Sequence, residues 1–419
     1  MSDIQAQLAC ALTSLFGPNA PEKLGVAVSG GSDSLALMHL LAQWAAPRGV
    51  RLFVATVDHG LRPGSADEAA GVAGAARALG LAHDTLLWQG WRGQGNLQDQ
   101  ARQARYGLLA DWAKKQGLAA VALGHTLDDQ AETVLMQLTR AAGVDGLAAM
   151  PARRARHGVD FVRPLLGIGR AALRQWLGAR GHGWVDDPSN ADPRFHRVRV
   201  RQAMPALAQL GLDGAGLARV AGHMAQARHA LECFTSNAAR AVLRPLAGNL
   251  VFDSTAFAAL PPEIQRRLMA RALAHIGQAP YGARATAMQA MVQAVLAGQA
   301  GALQGCLLVA HRGRMHLCRE YQQVAQLRAQ PGQPWDGRWH FAPDPAAGAG
   351  QYIAAHGPDG LAQVAGWRRA GLPRAAALAV PALWQNDSVL ASPLAENGPE
   401  WAEILAPAPD VFADPQDLG

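Results

Sequence analysis

The run Leu24-Gly25-Val26-Ala27-Val28-Ser29-Gly30-Gly31-Ser32-Asp33-Ser34 carries an apolar strand into a Gly-Gly turn and out into a helix that begins at Leu35. Strand, turn and helix in that order build an anion site. Two glycines open backbone conformations closed to other residues, so successive N–H groups converge on one anion, and the helix N-terminus adds about half a positive charge. Ser29, Ser32 and Ser34 offer hydroxyls, and Asp33 stands where a phosphate-bound Mg²⁺ would need a carboxylate. No Lys follows the glycines, which excludes a Walker loop, and the G-x-G-x-x-G spacing of dinucleotide sites is missing too.

The surrounding pattern predicts an α/β fold with a doubly wound parallel sheet. Strand signals at Gly25 to Ser29, Leu52 to Val57, Asp84 to Trp88, Ala119 to Leu123 and Phe161 to Val162 alternate with helical ones at Leu35 to Ala45, Ser65 to Leu79, Leu97 to Gln116 and Leu127 to Arg140. Ser65 and Glu68 read as a capping box, Asn96 as an N-cap, and Gly80 and Gly117 as the residues that close their helices. Past Pro205 the chain turns to Ala-rich helices (Leu217 to Arg240, Pro262 to Ile276, Ala285 to Ala297) with strand-like pieces at Leu250 to Phe252 and Cys306 to Val309. From Gln322 it is rich in Gly, Pro and Trp, with short apolar runs at Trp339 to Phe341, Leu378 to Val380 and Ser388 to Leu390. Three domains are expected: 1–204, mainly helical 205–321, and a small β-containing module at 322–419. Pro343 to Gly350 reads as a loop and Ala406 to Gly419 as a weakly ordered tail.

With 419 residues, half of them hydrophobic, the chain can fill cores of that size. Its start lacks a basic segment and carries Asp3, and no apolar run is long enough to span a membrane, so a cytoplasmic protein without a membrane partner is expected. Cys10, Cys233, Cys306 and Cys318 have no C-x-x-C pairing, which argues for buried thiols over metal knuckles. A net charge of +6 fits a polyanionic partner, and arginines crowd between Arg140 and Arg201.

Two further motifs end strands: Val57-Asp58-His59-Gly60-Leu61-Arg62, and Leu123-Gly124-His125-Thr126-Leu127-Asp128-Asp129-Gln130-Ala131-Glu132-Thr133. In the second, His125, Asp129 and Glu132 are spaced along one edge of a helix start facing the crevice of Asp33. Carboxylates beside a phosphate loop imply Mg²⁺ or an amine, and Asp128 reads as a cap.

SGGSDS resembles the pyrophosphate-gripping loop of N-type ATP pyrophosphatases, which cut ATP between its α- and β-phosphates. Taken with DHGLR, LGHTLDDQAET, the run from Arg140 to Leu147, Arg163-Pro164-Leu165-Leu166, Asp187-Pro188-Ser189-Asn190 and Phe195-His196-Arg197-Val198-Arg199-Val200-Arg201, the first half of the chain resembles the tRNA(Ile)-lysidine synthetase family. One departure is that the family often has Arg-Asn-Arg-Ile-Arg where this chain has Arg197 to Arg201. The resemblance implies ATP-dependent ligation of L-lysine to the wobble cytidine of a CAU-anticodon tRNA(Ile), through an adenylated cytidine, with ATP and Mg²⁺ required. It implies ATP binding by Ser29, Gly30, Gly31, Ser32, Asp33, Ser34, Val57 and His59, and metal binding by Asp33 and Asp129. Catalysis would fall to Asp33, Arg105, His125, Asp129 and Glu132, with Asp129 and Glu132 holding the lysine amine and taking its proton. Arg102, Arg140, Arg197 and Arg201 would bind tRNA, with the helical domain and the C-terminal module as further tRNA-binding parts, and a homodimer is left open. A tRNA thiolase or amide-forming synthetase is the competing enzyme class, disfavoured by the unpaired cysteines and by Cys10's placement. A non-enzymatic RNA-binding protein is disfavoured by the intact SGGSDS and its acidic neighbours.

Overall fold

The computed structural model describes residues 3–60, 64–89, 97–186, 192–279, 282–340, 350–395, 402–403 and 411–412. Leu61, Arg62, Asn96, Asp187 to Asn190, and most of the expected Pro343 loop and Ala406 tail lie outside the described residues. The chain divides into two compact units, Met1–Arg228 and His229–Leu418.

The first unit runs α1 (Asp3–Phe16), β1 (Lys23–Ala27), α2 (Ser32–Ala45), β2 (Arg51–Asp58), α3 (Ser65–Ala78), β3 (Ala82–Leu87), α4 (Leu97–Gln116), β4 (Ala120–Leu123), α5 (Leu127–Leu138), α6 (Val144–Leu147), β5 (Arg153–Arg156), β6 (Val159–Val162), α7 (Arg170–Gly178), α8 (His196–Gln209) and the start of α9 (Gly214–Val242). Its six-stranded sheet has the order β3-β2-β1-β4-β6-β5. β1 pairs in parallel with β2 on one side and β4 on the other, so the strand order switches direction there and opens a crevice past their carboxyl ends. Both faces of the sheet are covered. Leu8, Leu12, Leu37, Leu41, Leu173 and Trp176 fill one core, and Tyr106, Leu109, Trp112 and Phe161 the other. Gly25 is required by this packing, since a Cβ there would lie 2.8 Å from Leu118 and 2.9 Å from the Trp112 ring.

Three local expectations change. The edge strand β5, antiparallel to β6, went unpredicted because Arg153-Arg154-Ala155-Arg156 has no apolar alternation. The capping box at Ser65 is not formed: Gly64, at φ 88°, is the N-cap, and the Ser65 hydroxyl instead hydrogen-bonds the Asp58 carboxylate. The boundary placed at 204/205 falls inside α8. Gly80 and Gly117 do close α3 and α4 in the left-handed conformation.

The second unit continues α9 into β7 (Leu243–Leu246), β8 (Asn249–Phe252), α10 (Ser254–Ala258), α11 (Pro262–Gly277), α12 (Ala285–Ala297), β9 (Gly301–Leu303), β10 (Cys306–His311) and β11 (Arg314–Arg319). Then come α13 (Tyr321–Val324), β12 (Arg328–Ala329), β13 (Trp339–His340), β14 (Gln351–Ala355), α14 (Gly357–Gln363), α15 (Arg374–Ala379), β15 (Pro381–Gln385), β16 (Ser388–Ala391) and β17 (Ala402–Glu403). The two strand pieces expected before residue 321 belong to a five-stranded antiparallel sheet, β7-β8-β11-β10-β9, whose Phe252, Leu308 and Leu317 pack with Leu268 and Leu273 of α11. A four-stranded sheet, β12-β14-β15-β16, forms beyond it. Leu378 to Val380, expected as a strand, ends α15, and the strand starts at Pro381. All four cysteines are free; burial pushes the Cys306 and Cys318 thiols up to about 12.

Candidate active site

Gly31 is the N-cap of α2 and brings no side-chain cap, so the first N–H groups of the helix are left for a ligand. Gly30, at φ 84°, takes the left-handed turn that aims them, and its carbonyl accepts from the Val185 N–H at 3.1 Å. The loop is held from within. Ser34 Oγ donates to the Gly31 carbonyl at 3.0 Å and accepts from the Ser29 N–H at 3.1 Å. From the neighbouring turn Gly124 presses against it, where a Cβ would lie 2.9 Å from Ser34 Cα, so the glycine of the β4 to α5 turn is fixed by close backbone approach.

A cavity of about 360 Å³ opens over this loop, lined by Ser29, Gly31, Ser32, Asp33, Ser34, Arg105, Gly124, His125, Asp129, Arg170, Arg174, Val185, Asp186, Arg197 and Arg201. Five arginines against three carboxylates make it a site for a polyanion. Ten of the expected residues thus meet around one space. Gly30 shapes the loop beneath. Val57 and His59 do not line this cavity: Val57 packs beside the Tyr106 and Phe161 core, and His59 lies edge-on to Trp88 with its pKa lowered by burial and by Arg105. Arg102 is exposed over the Tyr106 ring, and Arg140 is exposed just beyond α5.

The carboxylates are already engaged. Arg170 Nε donates to Asp33 Oδ2 at 2.8 Å, its Nη2 to Asp129 Oδ1 at 3.2 Å, and its Nη1 sits 3.6 Å from Glu132 Oε1. Burial opposes the Arg170 charge, yet Asp33 and Asp129 outweigh it and raise its pKa. Asp129 accepts also from Arg197 Nη2 at 2.9 Å and, through Oδ2, from the Thr126 N–H and hydroxyl at 2.8 and 3.0 Å. Thr126 and Asp129 form the capping box of α5. With both oxygens committed, Asp129 does not suit the metal role expected of it. Asp33 suits it better: Arg170 takes its Oδ2, but among the described residues its Oδ1 accepts from the Ser32 hydroxyl alone, at 3.0 Å. Among the described residues no three His, Cys, Asp or Glu side chains gather as a metal cage.

Glu132, expected to hold an amine, is only 2 % exposed and sits under guanidinium groups: Arg197 Nε at 2.6 Å and Arg201 Nε at 2.7 Å. An ammonium would have to displace one of them. Arg197 and Arg201, expected on tRNA, are therefore first of all partners of Glu132, although both reach the cavity. Asp128 is a cap as expected, but of α7: its Oδ2 accepts from the Arg170 N–H at 2.7 Å. Sequence reasoning named neither Arg170 nor Arg174 for the site. Arg174 Nε donates to Ser32 Oγ at 3.2 Å and its guanidinium also pairs with Asp186. The crowding of arginines after Arg140 was their only local signal.

The PP-loop domain family matches residues 4–207. The tRNA(Ile)-lysidine synthase of Ruegeria pomeroyi is 48% identical over 404 residues, which covers 96% of this chain and 96% of that one. The one from Bradyrhizobium sp. is 46% identical over 63% of this chain and 77% of its own, and that of Wolbachia pipientis wMel 33% identical over 76% of each. The chain belongs to the tRNA(Ile)-lysidine synthase family of PP-loop proteins.

Proposed function

We propose that the chain ligates L-lysine to C2 of the wobble cytidine in CAU-anticodon tRNA(Ile), in the cytoplasm, consuming ATP and releasing AMP and pyrophosphate. The observation that carries this reading is the uncapped N-terminus of α2, set beneath a cavity with five arginines and facing a buried acidic group. The α2 N–H groups, Ser29 and Ser32 receive the pyrophosphate portion of ATP, and Arg105 and Arg174 neutralise the remaining phosphate charge. Mg²⁺ fits at Asp33 Oδ1, where one carboxylate with substrate phosphates is its usual setting, and would screen phosphate charge there. The cytidine O2 attacks the α-phosphate and pyrophosphate leaves. The lysine ε-amine then attacks C2 and AMP departs with the former O2.

Glu132 serves this site by holding Arg197 and Arg201, while Arg170 bridges Asp33 Oδ2 and Asp129 Oδ1, a place that an ammonium could take only by exchanging with Arg170. The amine is accordingly placed beside Asp33 and Asp129 with Arg170 turned onto phosphate. Tyr106 carries Arg102 and Arg156 over its ring at 5.4 and 4.5 Å, and Arg154 is exposed nearby on β5; these offer a track for RNA phosphates. Separately, a cavity of about 480 Å³ between α14 and α15 is lined by Trp367, Arg368, Arg369 and Arg374, which suits a nucleotide of the same tRNA. ATP labelled at its α-phosphate tests the order of steps. With lysine withheld, AMP should become attached to the tRNA; a label that stays in ATP until lysine arrives contradicts the adenylated cytidine.

A further inference from the structure

His125 is held by one specific contact. Arg163 Nε donates to His125 Nδ1 at 3.2 Å, and the same guanidinium is fixed by donating through Nη1 to the Pro151 carbonyl at 2.8 Å and through Nη2 to the Tyr106 hydroxyl at 3.4 Å. Arg163 is 4 % exposed, so the guanidinium meets these partners away from water. A guanidinium is a donor only, so the nitrogen facing it must be a lone pair. The ring proton therefore belongs on Nε2, the nitrogen for which the described residues offer no hydrogen-bond partner, in a side chain that lines the phosphate cavity.

We infer that Arg163 is a positioning residue that fixes His125 as the neutral Nε2–H tautomer, making His125 a hydrogen-bond donor to a phosphate oxygen in this cavity and not the acceptor of the amine's proton. The surroundings agree. Arg102 and Arg105 of α4, Arg163 itself and Arg197 of α8 are the charged groups around the ring, and burial together with all four holds its pKa well below the usual value. An imidazolium at this place would gather yet another cation and turn an N–H toward the Arg163 guanidinium. No proton passes through His125 in this assignment, and the one released by lysine leaves by another route. Donation to phosphate rests on the ATP reading above, whereas the tautomer does not.

The test is ¹⁵N-histidine NMR on the full chain, with the His125 signal identified by its loss in His125→Gln. The expected spectrum has a protonated Nε2 and an unprotonated Nδ1, unchanged from about pH 8 to about pH 6. A protonated Nδ1, or a ring that titrates in that range, overturns the inference. In pyrophosphate release, His125→Gln keeps a donor and should stay within about tenfold of the unaltered chain with the same pH profile, while His125→Ala, losing the donor, should fall on the order of a hundredfold. Equal losses in both variants, with an acidic limb present in the unaltered chain and abolished in Gln, would make His125 a base. Arg163→Met, if folded, should yield mixed tautomers and a ring that titrates at higher pH; a spectrum like that of the unaltered chain would remove Arg163 from this role. The predicted tautomer in a chain that forms no lysidine would leave the tautomer and the role of Arg163 standing and refute the proposed function, and with it the donation to phosphate.

Discussion

Replacing Glu132 with Gln separates a buried support from a ligand-binding carboxylate. Glu132 is 2 % exposed and accepts from Arg197 Nε at 2.6 Å, from Arg201 Nε at 2.7 Å and from Arg201 Nη2 at 3.3 Å. Gln keeps one acceptor oxygen and the shape, so about one or two charge-assisted bonds are lost, at about 1.5–3 kcal/mol each. Arg197 and Arg201 are 37 % and 34 % exposed at their side chains and recover some hydration, which brings the net cost to about 2 kcal/mol. For a unit of this size that corresponds to a fall in Tm of about 4–8 °C. Pyrophosphate release and lysine incorporation should decline together, since Arg197 and Arg201 lose their fixed positions. Calorimetry and the two half-reactions measure this. An unchanged Tm with only the lysine KM raised would refute the reasoning, because it would mean that the carboxylate is free to meet the substrate.

Further outcomes follow from other contacts. Asp33→Asn should cut pyrophosphate release by about a hundredfold or more through loss of about 3–4 kcal/mol of electrostatic stabilisation, and retention of a third of the rate would remove Asp33 from the phosphate chemistry. Gly124→Ala puts a Cβ 2.9 Å from Ser34 Cα and should cost about 1–3 kcal/mol while raising the KM for ATP, so an unaffected Tm and KM would show that the loop relaxes freely. Arg154→Ala and Arg156→Ala should each weaken tRNA binding and reduce its salt slope by about one while leaving ATP affinity in place; an unaltered slope would exclude the track around Tyr106. Burial, aided by His182 stacked 3.8 Å away, lowers the His39 pKa to about 4, and burial does the same for His356. Both stay neutral when folded but take up protons when unfolded, so their contribution is complete above about pH 6.5 and is lost as pH falls toward about 4, by up to about 1.4 kcal/mol per pH unit for each. Denaturant titrations across that range should show this slope, and His39→Asn should flatten it.

The parallel sheet and the phosphate loop were legible because their determinants are local: an apolar strand, two glycines and a helix start within one short run. Helices α4 and α12 were found to the residue, Leu97–Gln116 and Ala285–Ala297, since turn residues bracket them. What escaped was long-range. Arg170 meets Asp33 across 137 residues of chain, and no local pattern in Arg170-Ala171-Ala172 says which carboxylate its side chain will find. Asp128 and Asp129 were separable only in three dimensions, where one caps α7 and the other closes the box of α5 while binding two arginines. Edge strand β5 escaped for the opposite reason: its pairing comes from neighbouring β6, and its own residues face water.

The most direct measurement is mass spectrometry of nucleosides from tRNA(Ile) carrying the CAU anticodon, after incubation with the protein, ATP, Mg²⁺ and lysine. The wobble cytidine should gain lysine with loss of water, with one AMP and one pyrophosphate formed per modified tRNA and no lysidine when lysine is omitted. Sulfur in place of oxygen at that base, or an unmodified cytidine from active, folded protein, would contradict it.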